Sequence, residues 1–375
     1  MAIMKPIPLL VPRMPTADRL LPLLREIDCN HHYTNFGPLN SRFEGYILRE
    51  VAAAFPDAGV TTISNCTLGL ELALQALQLP PRAKVLVPAI TFVATATAVL
   101  RSGCLPVVAE VDRESWLLTP SIARDALNQM AIDAVMPVAT FGRGHSAAEW
   151  DAFTLETGVP VVIDAAGAFG NQLVGRTTDV VFSFHATKSF GAGEGGAIVS
   201  SEQQRIHSVR KLSNFGINLQ SGLVDESGGT NAKMSEYHAA VALATYEDWS
   251  LLQEGYVELH RSYMAVLKDK LPMLGFQKKS ERHVYPLMAV CLPIGVDVAN
   301  VIGEMAQAGI STRRWYSPAL HQHPAFSGLE RMHDVRIAEA LGSRIVGLPY
   351  FLGMDGVQIE FIADRLAVSM GVGRS

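Results

Sequence analysis

The chain has 375 residues, 49% of them apolar and 18% charged, which is enough to bury a sizeable core and is not the composition of a disordered chain. With 31 basic and 36 acidic side chains the formal net charge is −5, a balance that argues against nucleic-acid binding, which draws on a basic face. The four cysteines, Cys29, Cys66, Cys104 and Cys291, are far apart and form no CxxC pair, so neither a disulfide scaffold nor a metal site is expected.

The N-terminal segment is short and broken by Pro6, Pro8, Pro12 and Pro15, unlike a secretory signal. A short helix fits Ala17–Ile27, Asn35–Pro38 reads as a turn, and helical spacing runs from Arg42 to Phe55. An extended piece, Val60–Ser64, leads into TLGLELALQAL, helical by pattern, with Ser64–Thr67 at its N-terminus. The longest apolar run, Val85–Leu100, contains Pro88 and falls short of the ~18 residues of a membrane span. A soluble, cytoplasmic protein with no membrane partner is expected.

Short apolar runs then recur at Val85–Val87, Leu105–Val111, Ala134–Val138, Val159–Ile163, Val180–Ser183 and Ala197–Ser200. Most are separated by segments long enough for a crossover helix, the pattern of an α/β fold with a mostly parallel, doubly covered sheet. The last two lie close together across the Gly191–Gly196 loop and read as an antiparallel pair. Ser235–Leu271 is nearly free of Gly and Pro and holds one or two long helices. Strands at His283–Leu292 and Ile345–Leu348, with a helix at Val298–Ala308, make a smaller α+β unit. The expected division is a large domain over 1–250, lead-in included, and a small C-terminal domain over 251–375.

The stretch VFSFHATKSFGAGEGGAIVS places Lys188 between a strand ending in Ser183 and a glycine-rich loop where backbone can approach a ligand closely. A lysine held against a carbonyl cofactor forms a Schiff base, although most lysines are solvated surface groups. Asp164 directly follows an apolar strand, where parallel sheets open into a ligand crevice. It reads either as a helix cap or as the carboxylate that keeps a heterocyclic nitrogen protonated, as pyridoxal phosphate requires. The Ser64–Leu68 turn offers hydroxyls and N–H groups at a helix start, suited to phosphate. GAGEGG lacks the strand–turn–helix context of a dinucleotide fingerprint.

With these segments in order, the chain resembles the DegT/DnrJ/EryC1/StrS family of fold-type I, pyridoxal phosphate-dependent nucleotide-sugar aminotransferases. SNCTLGLELAL is similar to the family's phosphate turn, VLVPAITFVATATAV to its strand-and-aromatic segment, and PVVIDAAGAFG to its aspartate strand. SFHATKSFGAGEGGAIVS is similar to the lysine loop, GGTNAKMSEYHAAVALA to the segment that enters a neighbouring subunit, and STRRWYSPALHQHPAF and GLPYF to the C-terminal signatures. The resemblance implies that Lys188 links to the cofactor and shuttles protons, Asp164 pairs with the ring nitrogen, and Phe92 stacks on the ring. By spacing alone Phe92 reads as a core aromatic. It further implies that Ser183, Thr67 and the Leu68 amide hold the phosphate and that Asn231 reaches it from the partner of a homodimer with composite sites.

Two positions depart from the family pattern. Gly167 stands where a Gln commonly contacts the cofactor's phenolic oxygen, and Cys66 stands where a Gly precedes the threonine. Histidine replaces the lysine in related sugar 3-dehydratases, so Lys188 implies transamination. For the anionic substrates, Lys233 and Arg313 are diphosphate or carboxylate candidates. Arg205, Arg210 and Lys211 form a further basic group that reads equally as solvated surface. His185, His321 and His323 either touch the sugar or satisfy local structure. The resemblance is greatest to enzymes that form dTDP-4-amino-4,6-dideoxyglucose from L-glutamate and the C4-keto sugar, releasing 2-oxoglutarate; amination at C3 stays open.

Overall fold

The computed structural model describes residues 5–280 and 282–372. Ten strands carry it: β1 Gly59–Ile63, β2 Lys84–Pro88, β3 Leu105–Ala109, β4 Ala134–Val135, β5 Val161–Asp164, β6 Thr178–Ser183, β7 Gly196–Ser200, β8 Met288–Cys291, β9 Glu330–Arg331 and β10 Ile345–Leu348. Eight form one sheet in the order β1-β7-β6-β5-β4-β2-β3-β9, and β10 pairs with β8 in a second. Within the large sheet only β7 runs against its neighbours, so the expected antiparallel pair is β6–β7. The strands β2, β3, β5, β6 and β7 are buried almost throughout, because crossover helices cover both faces. This is the large mostly parallel α/β unit with a smaller α+β unit that the apolar runs imply.

The Gly- and Pro-poor stretch after Ser235 forms two helices, Glu236–Glu247 and Trp249–Lys270, the first capped by the Ser235 hydroxyl. The expected helix at Arg42–Phe55 instead starts earlier, at Pro38, whose fixed φ and missing N–H suit the first turn, and ends at Val51. Only Met288–Cys291 of the expected His283–Leu292 strand pairs as a strand. Ahead of it, the Val284 backbone is held by Asn171, its N–H donating to Oδ1 and its carbonyl accepting from Nδ2.

Backbone pairing crosses the two units in both directions. Ile7 bridges Ile310, Tyr350 N–H donates to the Leu9 carbonyl, and β9 adds to the edge of β3. The lead-in therefore packs against the C-terminal unit. No helix among the described residues is long and apolar enough to cross a membrane.

The strand directions bring the C-terminal ends of β1, β2, β5 and β6 to one edge. Register sets the depth there: Gly196 pairs with both Ile63 and Ser183, and Asp164 pairs with Val181. A Cβ on Gly196 would lie 2.6 Å from the Phe182 carbonyl oxygen and 3.0 Å from the Cys66 nitrogen, so glycine is what lets the helix Cys66–Ala76 begin on top of the sheet.

Candidate active site

Asp164 ends β5 and is buried, and both of its oxygens are engaged. Thr95 Oγ1 donates to Oδ2 at 2.8 Å and the Ala166 N–H donates to Oδ1 at 3.1 Å. Burial pushes its carboxyl above the ordinary range, while those two donors and the Lys188 charge pull it back. Lys188 is half-buried in the β6–β7 loop, where its N–H donates to the His185 carbonyl. Burial lowers its ammonium pKa, and the Asp164 charge opposes the shift. Lys188, Asp164 and Cys66 act on one another electrostatically, so the sheet edge gathers an amine, a carboxylate and a thiol. The Cys66 thiol is held well above its usual range by burial and by the Asp164 charge, which keeps it protonated.

Phe92 follows β2 and is 53% exposed, an unusual position for a phenylalanine whose neighbours Ile90 and Thr91 are buried. Its ring centroid lies 6.3 Å from that of Tyr316, which in turn stacks on Phe141 at 5.2 Å with nearly parallel planes. The Asp164 charge raises the Tyr316 phenol pKa beyond the effect of burial, and Arg313 lowers it, which brings Tyr316 and Arg313 into the same neighbourhood. Arg313 is exposed, with its guanidinium over the Trp315 ring.

At the phosphate turn, Asn65 caps the helix Cys66–Ala76 by accepting the Leu68 N–H at 3.0 Å. The Leu68 amide is thus committed to its own cap. The preceding amides of Cys66 and Thr67 are the ones without an intrahelical acceptor, at the positive end of the helix dipole. Ser183 lies at the neighbouring strand end, where its hydroxyl accepts the His185 N–H at 3.3 Å, and the Ser189 hydroxyl beside Lys188 is buried without a partner. At Gly167 a Cβ would sit 3.4 Å from the Pro286 ring and 3.6 Å from the Gly142 nitrogen, ordinary contact distances at which the fold does not itself require glycine.

The other candidate side chains make contacts of their own. His321 is buried and its Nε2 meets Glu339 Oε1 at 2.8 Å. His323 packs edge-on against Phe326, and His185 Nδ1 meets the Thr187 hydroxyl at 2.8 Å. Lys233 Nζ donates to Asn214 Oδ1 at 2.8 Å and lies over the Phe215 ring, while Asn231 is exposed on the same excursion, bridged to Asn214. Thr91, Thr95, Phe141 and Tyr316 have no counterpart in the sequence reading. The spacing of Thr91 and Thr95, one turn apart beside a strand end, was their only available signal.

An amine nucleophile, a buried carboxylate, an exposed aromatic face and unpaired amides at a helix start match what pyridoxal phosphate needs: an aldehyde partner, a ring-nitrogen partner, a ring cover and a phosphate seat. The profile of the DegT/DnrJ/EryC1/StrS aminotransferase family matches residues 16–367. The chain is 31% identical to protein Rv3402c of Mycobacterium tuberculosis, over 92% of this chain and 85% of that one. It is 27% identical to the dTDP-4-amino-4,6-dideoxy-D-glucose transaminase of Shigella dysenteriae, over 96% and 98%. A crystal structure of a candidate PLP-dependent aminotransferase from Bacillus cereus superposes with a TM-score of 0.90 at 31% identity, covering 97% of this chain and all of that one. The chain is a pyridoxal phosphate-dependent aminotransferase of the DegT/DnrJ/EryC1/StrS family.

Proposed function

We propose that this enzyme moves an amino group from L-glutamate to the C4 keto group of a nucleotide-linked 4-keto-6-deoxyhexose, with dTDP-4-keto-6-deoxyglucose as the substrate of choice. The observation that carries the transamination chemistry is the placement of half-buried Lys188, in the loop after β6, at the same sheet edge as buried Asp164, which ends the adjoining β5. Similarity to the Shigella transaminase over nearly the full length of both chains supports the sugar and the carbon.

When bound, pyridoxal phosphate supplies an aldehyde that takes up the amine and an electron-poor ring that delocalises the carbanion. Lys188, whose pKa burial lowers, presents a neutral amine more readily than a solvated lysine, first as nucleophile and then as the base that moves a proton at the substrate carbon. Asp164 keeps a proton on the ring nitrogen. Phe92 covers the ring face, and Thr67, Ser183 and the first amides of the helix Cys66–Ala76 seat the phosphate. Arg313 meets an anionic group of donor or sugar nucleotide, and Asn231 and Lys233 serve the site of a second copy in a homodimer.

The test is direct. Purified protein given pyridoxal phosphate should absorb in the visible, and Lys188→Ala should abolish that band and the activity together. Incubation with glutamate and dTDP-, GDP- and UDP-linked 3-keto and 4-keto sugars, with the product's aminated carbon read by NMR, tests the substrate. Amination of 3-keto sugars alone refutes the C4 assignment, and no amination of any of them refutes the sugar reading.

A further inference from the structure

Asp164 does not stand alone in the protein interior; it ends a chain of hydroxyls. Thr95, in the first turn of the helix Ala94–Arg101, is fully buried and places Oγ1 2.8 Å from Asp164 Oδ2. Thr91, also buried, places its own Oγ1 2.7 Å from Thr95 Oγ1 and 3.3 Å from the Phe92 carbonyl oxygen. Each hydroxyl has one proton to give, and an ionised carboxylate only accepts. With Asp164 ionised, Thr95 must donate to Asp164 and Thr91 must donate to Thr95, and both contacts are short. With a proton on Oδ2, the order reverses and the chain must end on Thr91 donating to the Phe92 carbonyl across the longer 3.3 Å contact. The ionised polarity therefore makes the better bonds, and the Ala166 N–H on Oδ1 favours it as well.

We infer that Thr95, braced by Thr91, is a positioning residue that keeps Asp164 ionised and fixed in orientation, and so sets how firmly the cofactor's ring nitrogen is held protonated. This rests on the aminotransferase chemistry proposed above. Neither threonine touches the reacting carbon; both act through Asp164. The relay also ties the carboxylate to the Thr91–Phe92 backbone, so the acceptor for the ring nitrogen and the side chain that covers the ring share one hydrogen-bonded unit.

The experiment loads wild type, Thr95→Val, Thr95→Ser and Thr91→Val with pyridoxal phosphate labelled with nitrogen-15 in the ring. It reads the ring-nitrogen resonance, the cofactor dissociation constant and the melting temperature of the cofactor-free protein. Thr95→Val should move the resonance toward the unprotonated position and weaken cofactor binding by about tenfold or more, the worth of a hydrogen bond to a charged group. Thr95→Ser should restore both, and Thr91→Val should shift the resonance the same way by less. A Thr95→Val protein that melts earlier but keeps the wild-type resonance and affinity overturns the inference, because its role is then structural alone. Should Thr95→Val fail to fold, an unmoved resonance in Thr91→Val overturns it equally. A wild type that never shows the lysine-bound visible band removes the functional reading and this inference together. A wild type that shows the band beside an unmoved Thr95→Val removes only the inference.

Discussion

His145 provides the sharpest test of the electrostatics in this fold. It lies just past Gly142, and its ring is clamped between two fixed partners. The Trp150 Nε1–H donates to Nδ1 at 3.2 Å, and Nε2 meets the Val138 carbonyl at 2.9 Å. Indole nitrogen can only donate, so Nδ1 carries no proton and Nε2–H is the donor to Val138. A second proton on the ring would face the Trp150 N–H, and burial together with the nearby Arg143 charge lowers the imidazole pKa from its usual value near 6.5 to about 4. The sign follows from linkage. The folded state refuses a proton that the unfolded state accepts, so this contribution is complete above pH 6.5 and is lost as pH falls through the window to about 4. That displacement is worth about 3 kcal/mol in full, and the slope inside the window is about 1.4 kcal/mol per pH unit. His260, lowered to about 3 by burial and the Lys279 charge, adds a second slope of the same sign. Urea midpoints measured from pH 7 to 4.5 should therefore fall more steeply for wild type than for His145→Gln, which keeps a side chain able to donate and accept but does not titrate. The difference in slope should be about 1.4 kcal/mol per pH unit. Parallel pH profiles, or an NMR titration of His145 centred near 6.5, would refute the reasoning.

Two other perturbations separate structural from functional roles. Glu236 is buried and accepts the Leu39 N–H at 2.8 Å, the Asn40 N–H at 2.9 Å and the Asn40 side-chain amide at 2.7 Å, so it caps the helix Pro38–Val51 from a distant part of the chain. Glu236→Ala leaves those donors buried and should cost about 3 kcal/mol or more in chemical denaturation, with Glu236→Gln costing clearly less; equal stability of the two variants would show that the cap does not act as described. Phe92→Ala removes a ring that is half in solvent, so the cofactor-free protein should melt within about 1 kcal/mol of wild type while cofactor affinity drops several-fold. A large stability loss without an affinity change would assign Phe92 to the core.

What the sequence makes legible here is what a buried parallel sheet imposes on it. Continuous apolar runs at Val85–Val87 and Val180–Ser183 mark β2 and β6 because both faces of those strands are covered. The same logic cannot find β9, where exposed Glu330 and Arg331 join the edge through backbone bonds alone and carry no apolar pattern. In the run Ala134–Val138 only Ala134–Val135 forms the regular strand β4, yet the rest stays in the sheet: Met136 N–H donates to the Leu86 carbonyl, the Pro137 carbonyl accepts the Asp164 N–H and Val138 bridges Asp164 before the helical turn Thr140–Gly142. At the site, Lys188 and Asp164 are legible because a lysine beside a glycine-rich loop and an acid at a strand end are chemically conspicuous. Thr95 is not, since a threonine in an alanine-rich helix reads as neutral until the fold brings β5 beside it.

The basic groups show most clearly how partners invisible in the sequence decide what a charge can do. Arg205, Arg210 and Lys211 stand together with no acid between them, yet each is paired through space. Arg205 meets Asp179 and Glu202, Arg210 meets Glu44, and Lys211 meets Asp225 and Glu226. Arg314 spends its guanidinium on the Ser317 hydroxyl and on the carbonyls of Gly342 and Ser343. Asp179, buried against Arg205, is still pushed up to about 6, so even that pair serves internal balance more than ligand binding. Neither Arg313 nor Arg314 makes an ion pair among the described residues, but Arg314 is held by those neutral acceptors, whereas Arg313 lies over the Trp315 ring and close enough to Tyr316 for its charge to be felt there. An enzyme of net charge −5 therefore needs no basic surface to receive anionic substrates. The Arg313 guanidinium and the amides at the start of Cys66–Ala76 supply positive potential near the site, while Arg205, Arg210 and Lys211 are neutralised where they stand.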